Sequence, residues 1–478
     1  MTASITNKAK IKDAICAFFG GRYYPPLVAL LVLLGYFTGG EMIFGSLNIL
    51  LFCASLWIVD SAKHTLILGV TFLYQISPGH APIVPTSSDY FFLGFRPYWI
   101  GILLVILLAS LVAYAVRTKA YLDFTFKKCS LLPSMLFLAF AFIANGLFSD
   151  NHTVGDFLLG LAEAFVYFAF FLLFYFGFRK QDLKDIDGYF CYSALWIAAV
   201  ILLQMANLYL TEDIYREDGA ISVTAIRLGW GVSTVIGAAL TVLIPVLLYG
   251  AMRRRYPIPY FIMAFLVLIG CFLSMSRTAL GVSLLVFAVS MLIGCFFGNR
   301  RTLFQLATIV MILTVIVIFI GYYDDLYRLF AVYFEKGFSS TGRWSLWQKC
   351  LKGFFDHPLF GAGFFGLELG AAVSHFAHNS ILQMLGACGT VGIIAYLIYR
   401  IETIFLFIKR PSLFKTMLGW AAAAIVIASL LDVFLFSFFS MIYHSALLAL
   451  ATILNNEEKE RIESAQLQTP EQESEAEQ

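Results

Sequence analysis

Apolar runs of roughly membrane-spanning length follow one another along nearly the whole chain, and few architectures accommodate such a pattern. They occupy residues 25–38, 42–59, 63–77, 98–116, 130–148, 157–178 and 190–209, then 229–251, 258–275, 278–298, 303–322, 379–399, 414–431 and 435–454. A bilayer core about 30 Å thick is crossed by roughly 20 such residues in a helix. Inside lipid, only helices and closed barrels satisfy their own backbone groups. Two of the runs are short, so the expectation is an all-α polytopic membrane helix bundle of about 12–14 transmembrane helices. Composition agrees: with 60% hydrophobic and 13% charged residues, the chain has too little polar surface for a water-soluble globule of 478 residues.

Charge placement orients the bundle. Lys8, Lys10, Lys12 and Arg22, then Arg117, Lys119, Lys127 and Lys128, then Arg179, Lys180 and Lys184 fall on one side of the alternating spans. Arg253 to Arg255, Arg300, Arg301, Arg400, Lys409, Arg410 and Lys415 join them, so most of the 32 basic residues share a face. Cytoplasmic loops collect Lys and Arg, which puts both termini in the cytoplasm. The expected organisation is a basic cytoplasmic N-terminus (1–24), a membrane domain (25–454) with one large extracytoplasmic loop at about 323–378, and a disordered acidic cytoplasmic tail (455–478). No cleavable leader is apparent in the first 25 residues, which are polar and basic, so the first helix is expected to stay as an anchor. The 8 cysteines show no CxxC pair and no zinc spacing, and read as core packing with no metal site.

Most of the residues suited to chemistry fall in and around the outer loop. His378 opens the stretch His378-Asn379, nine residues, then Gly389-Thr390-Val391-Gly392. An imidazole at a membrane edge is a side chain able to take up a proton near neutral pH. A polar interfacial cap followed by a glycine packing face accounts for the same spacing. Arg277 occupies the short outer turn Ser274-Met275-Ser276-Arg277-Thr278, where a fixed guanidinium fork suits a phosphate or pyrophosphate and also suits an interface anchor. Arg343, in Thr341-Gly342-Arg343-Trp344, is the second candidate, and Arg227 a third with less support. Trp347, Leu351, Phe354 and Phe355 predict one face of a helix in the headgroup layer, with a tight turn after it at His357-Pro358-Leu359-Phe360-Gly361-Ala362-Gly363. His375 is a near neighbour of His378, whereas His80, His152 and His444 read as structural or incidental. Asp185-Ile186-Asp187 has the DxD spacing of metal-dependent sugar transferases but reads as a solvated turn, and Asp324-Asp325 as a helix end.

Ser276-Arg277, Gly342-Arg343 with Trp347, His357 to Gly363, and His378-Asn379 with Gly389 and Gly392 resemble, in that order, the bacterial O-antigen ligase and polymerase family of integral membrane glycosyltransferases. The resemblance covers about residues 225–400. It implies a bundle like those of the GT-C-type lipid-dependent glycosyltransferases, in the bacterial plasma membrane, with its active site outside the cytoplasm. The implied donor is a glycan on a polyprenyl pyrophosphate, and the acceptor a hydroxyl of a glycan, lipid or protein, with inversion at the anomeric carbon. No cofactor, metal or nucleic acid enters. His378 is implied as general base; Arg277, Arg343 and Arg227, with Asn379 and His357, are implied on the substrate. Polymerase and ligase share these motifs.

Two other classes compete with this reading. A lipid-linked oligosaccharide flippase would place charge along the middle of its helices, and the spans read as nearly free of it, Asp432 and His444 being the closest cases. A peptidoglycan-type polymerase would need an outer-loop carboxylate, for which Asp324, Asp325, Asp356 and Glu368 are the choices.

Overall fold

The structure, a computed structural model of the chain, describes residues 2–59, 97–119, 129–149, 154–177, 185–211, 214–215, 221–223, 225–228, 230–324, 327, 343–364, 366–367, 377–432 and 438–476. The expected span at 63–77, most of the long loop, and His80, His152, Asp325, Thr341, Gly342, Glu368 and His375 lie outside the described residues. Of the described residues 84% are helical, in 15 helices with one two-stranded hairpin beside them.

The order is α1 (Thr2–Phe19), α2 (Tyr24–Thr38), α3 (Glu41–Ile58), α4 (Pro97–Thr118), α5 (Leu132–Phe148), α6 (Val154–Gly177) and α7 (Ile186–Thr211). A hairpin of β1 (Arg227–Leu228) and β2 (Gly231–Val232) leads into α8 (Ser233–Arg253), α9 (Ile258–Leu273), α10 (Arg277–Phe297) and α11 (Arg301–Gly321). Then come α12 (Arg343–Asp356), α13 (Ser380–Ile408), α14 (Leu413–Leu431) and α15 (Phe438–Ala476).

Seven of these, α6, α7, α8, α10, α11, α13 and α14, are long and apolar enough to cross a bilayer. The end of α1 and α2 pass the same test as a pair bent by 59°, with Gly20-Gly21 and Pro25-Pro26 flanking the break. Shorter apolar helices run over Met42–Ile58, Val105–Thr118, Leu132–Phe148 and Ile258–Leu273. The protein is thus an all-α polytopic membrane protein.

Its axis is α8, apolar all round, whose span is 94% buried inside the bundle against 6% for α11, which faces outward to lipid. α8 packs on α7, α9, α10 and α14. Gly237 admits the Ser274–Ala279 turn so closely that a Cβ there would lie 2.4 Å from the Ala279 Cβ and 2.5 Å from Ser274 Oγ. At the other end, a Cβ on Gly298 would lie 3.3 Å from Met252, so α8 and α10 run parallel. α14 runs against them, with Phe414 on Tyr249 and the Trp420 indole N–H donating to the Val286 carbonyl at 3.1 Å.

Two expectations change. Composition predicts a disordered tail from residue 455, but α15 continues through Ala476, its charges forming Lys459–Glu463 and Arg461–Glu458 pairs one helical turn apart. The apolar run closing at 399 puts Arg400 at the cytoplasmic end of a span; α13 instead extends to Ile408, and Arg400 is buried inside the bundle beside His444.

Candidate active site

The approach of α12 to α13 builds the site. Gly386 lets the helices touch: a Cβ there would meet the Cys350 backbone at 2.7–2.8 Å. Burial pushes the Cys350 thiol up to about 12, so it stays protonated and offers no nucleophile. Three residues on, Gly389 adopts φ 64°, ψ −156° and breaks α13. The break exposes backbone groups, and the His357–Gly363 turn takes them up. Ala362 and Gly363 donate N–H bonds to the Gly386 and Ala387 carbonyls at 2.9 and 3.1 Å. In return, Thr390 and Val391 donate to the Pro358 and Leu359 carbonyls at 2.8 and 3.2 Å. Asn145 of α5 also donates to the Ala387 carbonyl. Of the glycines spaced three apart, Gly386 admits another helix, α12, and Gly389 a loop, whereas Gly392 meets Cys388 and Met384 of its own helix.

That seating has a checkable cost. A Cβ on Gly389 would lie 2.5 Å from the Gly361 nitrogen and 2.6 Å from the Leu359 oxygen, in a backbone region that favours glycine. Gly389→Ala is expected to lower the stability of the purified protein by at least about 1–3 kcal/mol, the cost of a strained backbone. Gly281→Ala, with nothing within 4 Å of the added methyl, should leave the melting temperature essentially unchanged. Equal melting temperatures for the two variants would show that the helix break is not required.

On the other side of Gly386, α13 begins at a dense polar knot. Asn379 caps it: its Oδ1 accepts from Ile381 and Leu382 N–H, both at 3.0 Å, while Nδ2 donates to the Leu430 carbonyl at 2.9 Å. Both polar ends of Asn379 are thus engaged within the protein. His378 precedes the cap with φ 52°, an uncommon conformation for a side chain other than glycine. Its neighbours hold it there. Ala377 N–H donates to Gln383 Oε1 at 2.6 Å, and the Trp347 indole N–H donates to the Ala377 carbonyl at 3.0 Å. His378 Nδ1 lies 2.8 Å from Asp432 Oδ1, with the His378 side chain 33% exposed and the Asp432 side chain 9%. A carboxylate accepts from Nδ1–H, which leaves the lone pair on Nε2.

Asp432 was not among the sequence candidates. It follows α14 directly and is 54 residues from its partner. The available signal was a lone carboxylate in an apolar turn between two spans. Arg343 arrives at the same place, Nη1 donating to the Leu431 carbonyl at 2.7 Å. One end of α14 therefore gathers Arg343, His378 and Asn379 through three consecutive residues, Leu430, Leu431 and Asp432.

The Trp420–Val286 bond sets the height of the remaining arginines. Arg277 lies nine residues before Val286 and Asp432 twelve after Trp420, about 14 and 18 Å of helix rise in the same direction. Arg277, in the first turn of α10 behind the Ser276 cap, and Asp432 thus sit at one end of the bundle. Arg227, on the hairpin entering α8, belongs to that end too, because Gly237 touches the Arg277 turn. His357 stands apart: α12 separates it from Arg343 by about 21 Å of helix rise, and its backbone opens the turn seated on α13. Asp187, of the discounted DxD, accepts from Tyr249 and Arg254 within the protein. The packed face of α12 is formed by Trp347, Cys350 and Gly353, leaving Trp344, Leu351 and Phe355 exposed.

A multi-pass membrane protein with a His–Asp pair and several arginines at one end of its bundle is the class these features define. Residues 262–397 match the family model described as O-antigen ligase. That match supports the O-antigen ligase and polymerase family for this region, and with it an activity of that general type on a lipid-linked glycan and an acceptor. No curated protein matches the chain. The matched region holds Arg277, Arg343, His357, His378 and Asn379; Arg227 and Asp432 fall outside it.

Proposed function

We propose that this protein transfers a glycan from a polyprenyl pyrophosphate to an acceptor hydroxyl on the extracytoplasmic face of the bacterial plasma membrane. The contact between His378 and Asp432, one residue from the carbonyl that holds Arg343, carries the reading. His378 Nε2 takes the acceptor proton as the oxygen attacks the anomeric carbon from the face opposite the pyrophosphate. The bond from that carbon to the pyrophosphate oxygen breaks, and configuration inverts. Charge then grows on the leaving pyrophosphate, where Arg277 and Arg343, with Arg227 as a third, provide fixed donors that do this work without a metal ion. Asn379 serves here by positioning His378, since its amide is engaged on α13 and α14. A Trp347→Phe variant, which loses the bond to the Ala377 carbonyl, should turn over several-fold more slowly with donor affinity unchanged.

The arginines are tested by substitution. Arg277→Ala and Arg343→Ala should each cost about ten- to a hundred-fold in donor use, the worth of a hydrogen bond to a charged group. Lysine should rescue only in part, lacking the bidentate fork, and activity should persist in EDTA. Wild-type turnover by both Arg277 variants would make it an interface anchor.

Sidedness is tested separately. A single cysteine at Lys352, exposed on α12, in a cysteine-free background should react with an impermeant thiol reagent in intact cells. Protection until the membrane is opened would place the whole constellation in the cytoplasm.

A further inference from the structure

An apolar groove of about 830 Å³ lies between α13, α14 and α10. Its upper rim is Ile381 and Leu430, the latter being the residue whose carbonyl holds Asn379. Ala423 lies in its wall, and Ile408 and Pro411 close its far end. Ile404 and Ile408 are 57% and 65% exposed, so the groove opens sideways to lipid. From Leu430 to Pro411 it follows α14 for about 28 Å of helix rise, close to the roughly 30 Å of a hydrocarbon core. A phospholipid acyl chain reaches only about half that thickness. The occupant that fits the groove end to end is therefore longer than one leaflet.

Arg400 lines the groove. It is 8% exposed, its guanidinium lies 4.8 and 5.1 Å from the Tyr396 and Tyr399 ring centres, and Nη1 is 3.3 Å from His444 Nε2. Its Nε and Nη2 have no hydrogen-bond partner among the described residues. A buried intramembrane cation with unsatisfied donors is costly and points to a ligand. A saturated hydrocarbon offers it nothing. An isoprenoid chain carries one double bond in each five-carbon unit, and those π electrons attract a guanidinium, though more weakly than the aromatic faces do.

We infer that this groove holds the polyprenyl chain of the donor, running from the His378–Asp432 end past Arg400 toward the cytoplasmic leaflet. The assignment rests on the proposed donor but not on the proposed general base.

The test uses the full-length protein in phospholipid vesicles with a labelled C55 polyprenyl phosphate, which carries no glycan and needs no turnover to bind. A benzophenone side chain placed at Ile404 should cross-link the label on irradiation, whereas one at Ile316, exposed on α11, should give phospholipid adducts. A fully saturated carrier of equal length should compete about two-fold less well, the weak end of a cation–π contact, and Arg400→Leu should abolish that preference. The cross-link should survive His378→Ala. Labelling equal at Ile404 and Ile316, or phospholipid adducts alone at Ile404, would overturn the groove. Were wild type still to transfer glycan from the same carrier, the functional reading would stand and this assignment alone would fall.

Discussion

Asp432→Asn is expected to slow glycan transfer by about 10²- to 10⁴-fold while leaving the protein folded and able to bind donor. The substitution keeps side-chain size but turns an obligate acceptor into a group that can donate. With an amide N–H facing Nδ1, the imidazole proton moves to Nε2, and the lone pair that must face the acceptor hydroxyl is lost. In serine proteases, the equivalent change costs about 10⁴-fold for the same reason. Asp432→Glu should recover part of the rate, since the carboxylate survives with displaced geometry. Donor titration and turnover measured on the same preparation separate the two effects. Wild-type turnover in Asp432→Asn would reduce the 2.8 Å contact with His378 to a structural tie between α13 and α14.

His378→Ala is expected to lose as much, about 10²- to 10⁴-fold, the usual loss when a positioned general base is removed. The competing account, a polar cap on α13, predicts something else. Loss of a cap costs about 1 kcal/mol of stability and little turnover, and the cap here is Asn379, through its two accepted N–H bonds. Asn379→Ala should therefore mainly lower the melting temperature, and His378→Ala mainly the rate. The double variant of His378 and Asp432 should be little worse than either single one, because residues acting as a unit are not additive.

Much of this was legible in the sequence because a bilayer imposes strict rules. Runs of apolar residues are enough to give an all-helical multi-pass protein, and Arg277, Arg343, His357 and His378, on which the family resemblance rests, all fall within the region 262–397 that matches the family model. The hidden features depend on distance or backbone. Asp432 is 54 residues beyond His378, and no local spacing links them. Gly389 looks like its neighbours until its positive φ is seen to break α13 and seat the His357–Gly363 turn. Arg400 reads as a cytoplasmic flank because an apolar run ends before it, whereas α13 continues past it with two tyrosine rings packed on the buried cation. In the tail, composition suggests disorder, and α15 runs on through it, with charge pairs at helical spacing in its first part.

The central claim is that His378, held by Asp432, removes the acceptor proton. Its most direct test is a single turnover: purified His378→Ala is loaded with lipid-linked glycan, acceptor is added, and both bound donor and joined product are followed. The account predicts wild-type donor occupancy and product formation slowed by at least about 10²-fold. Product appearing at the wild-type rate from fully occupied enzyme would contradict it.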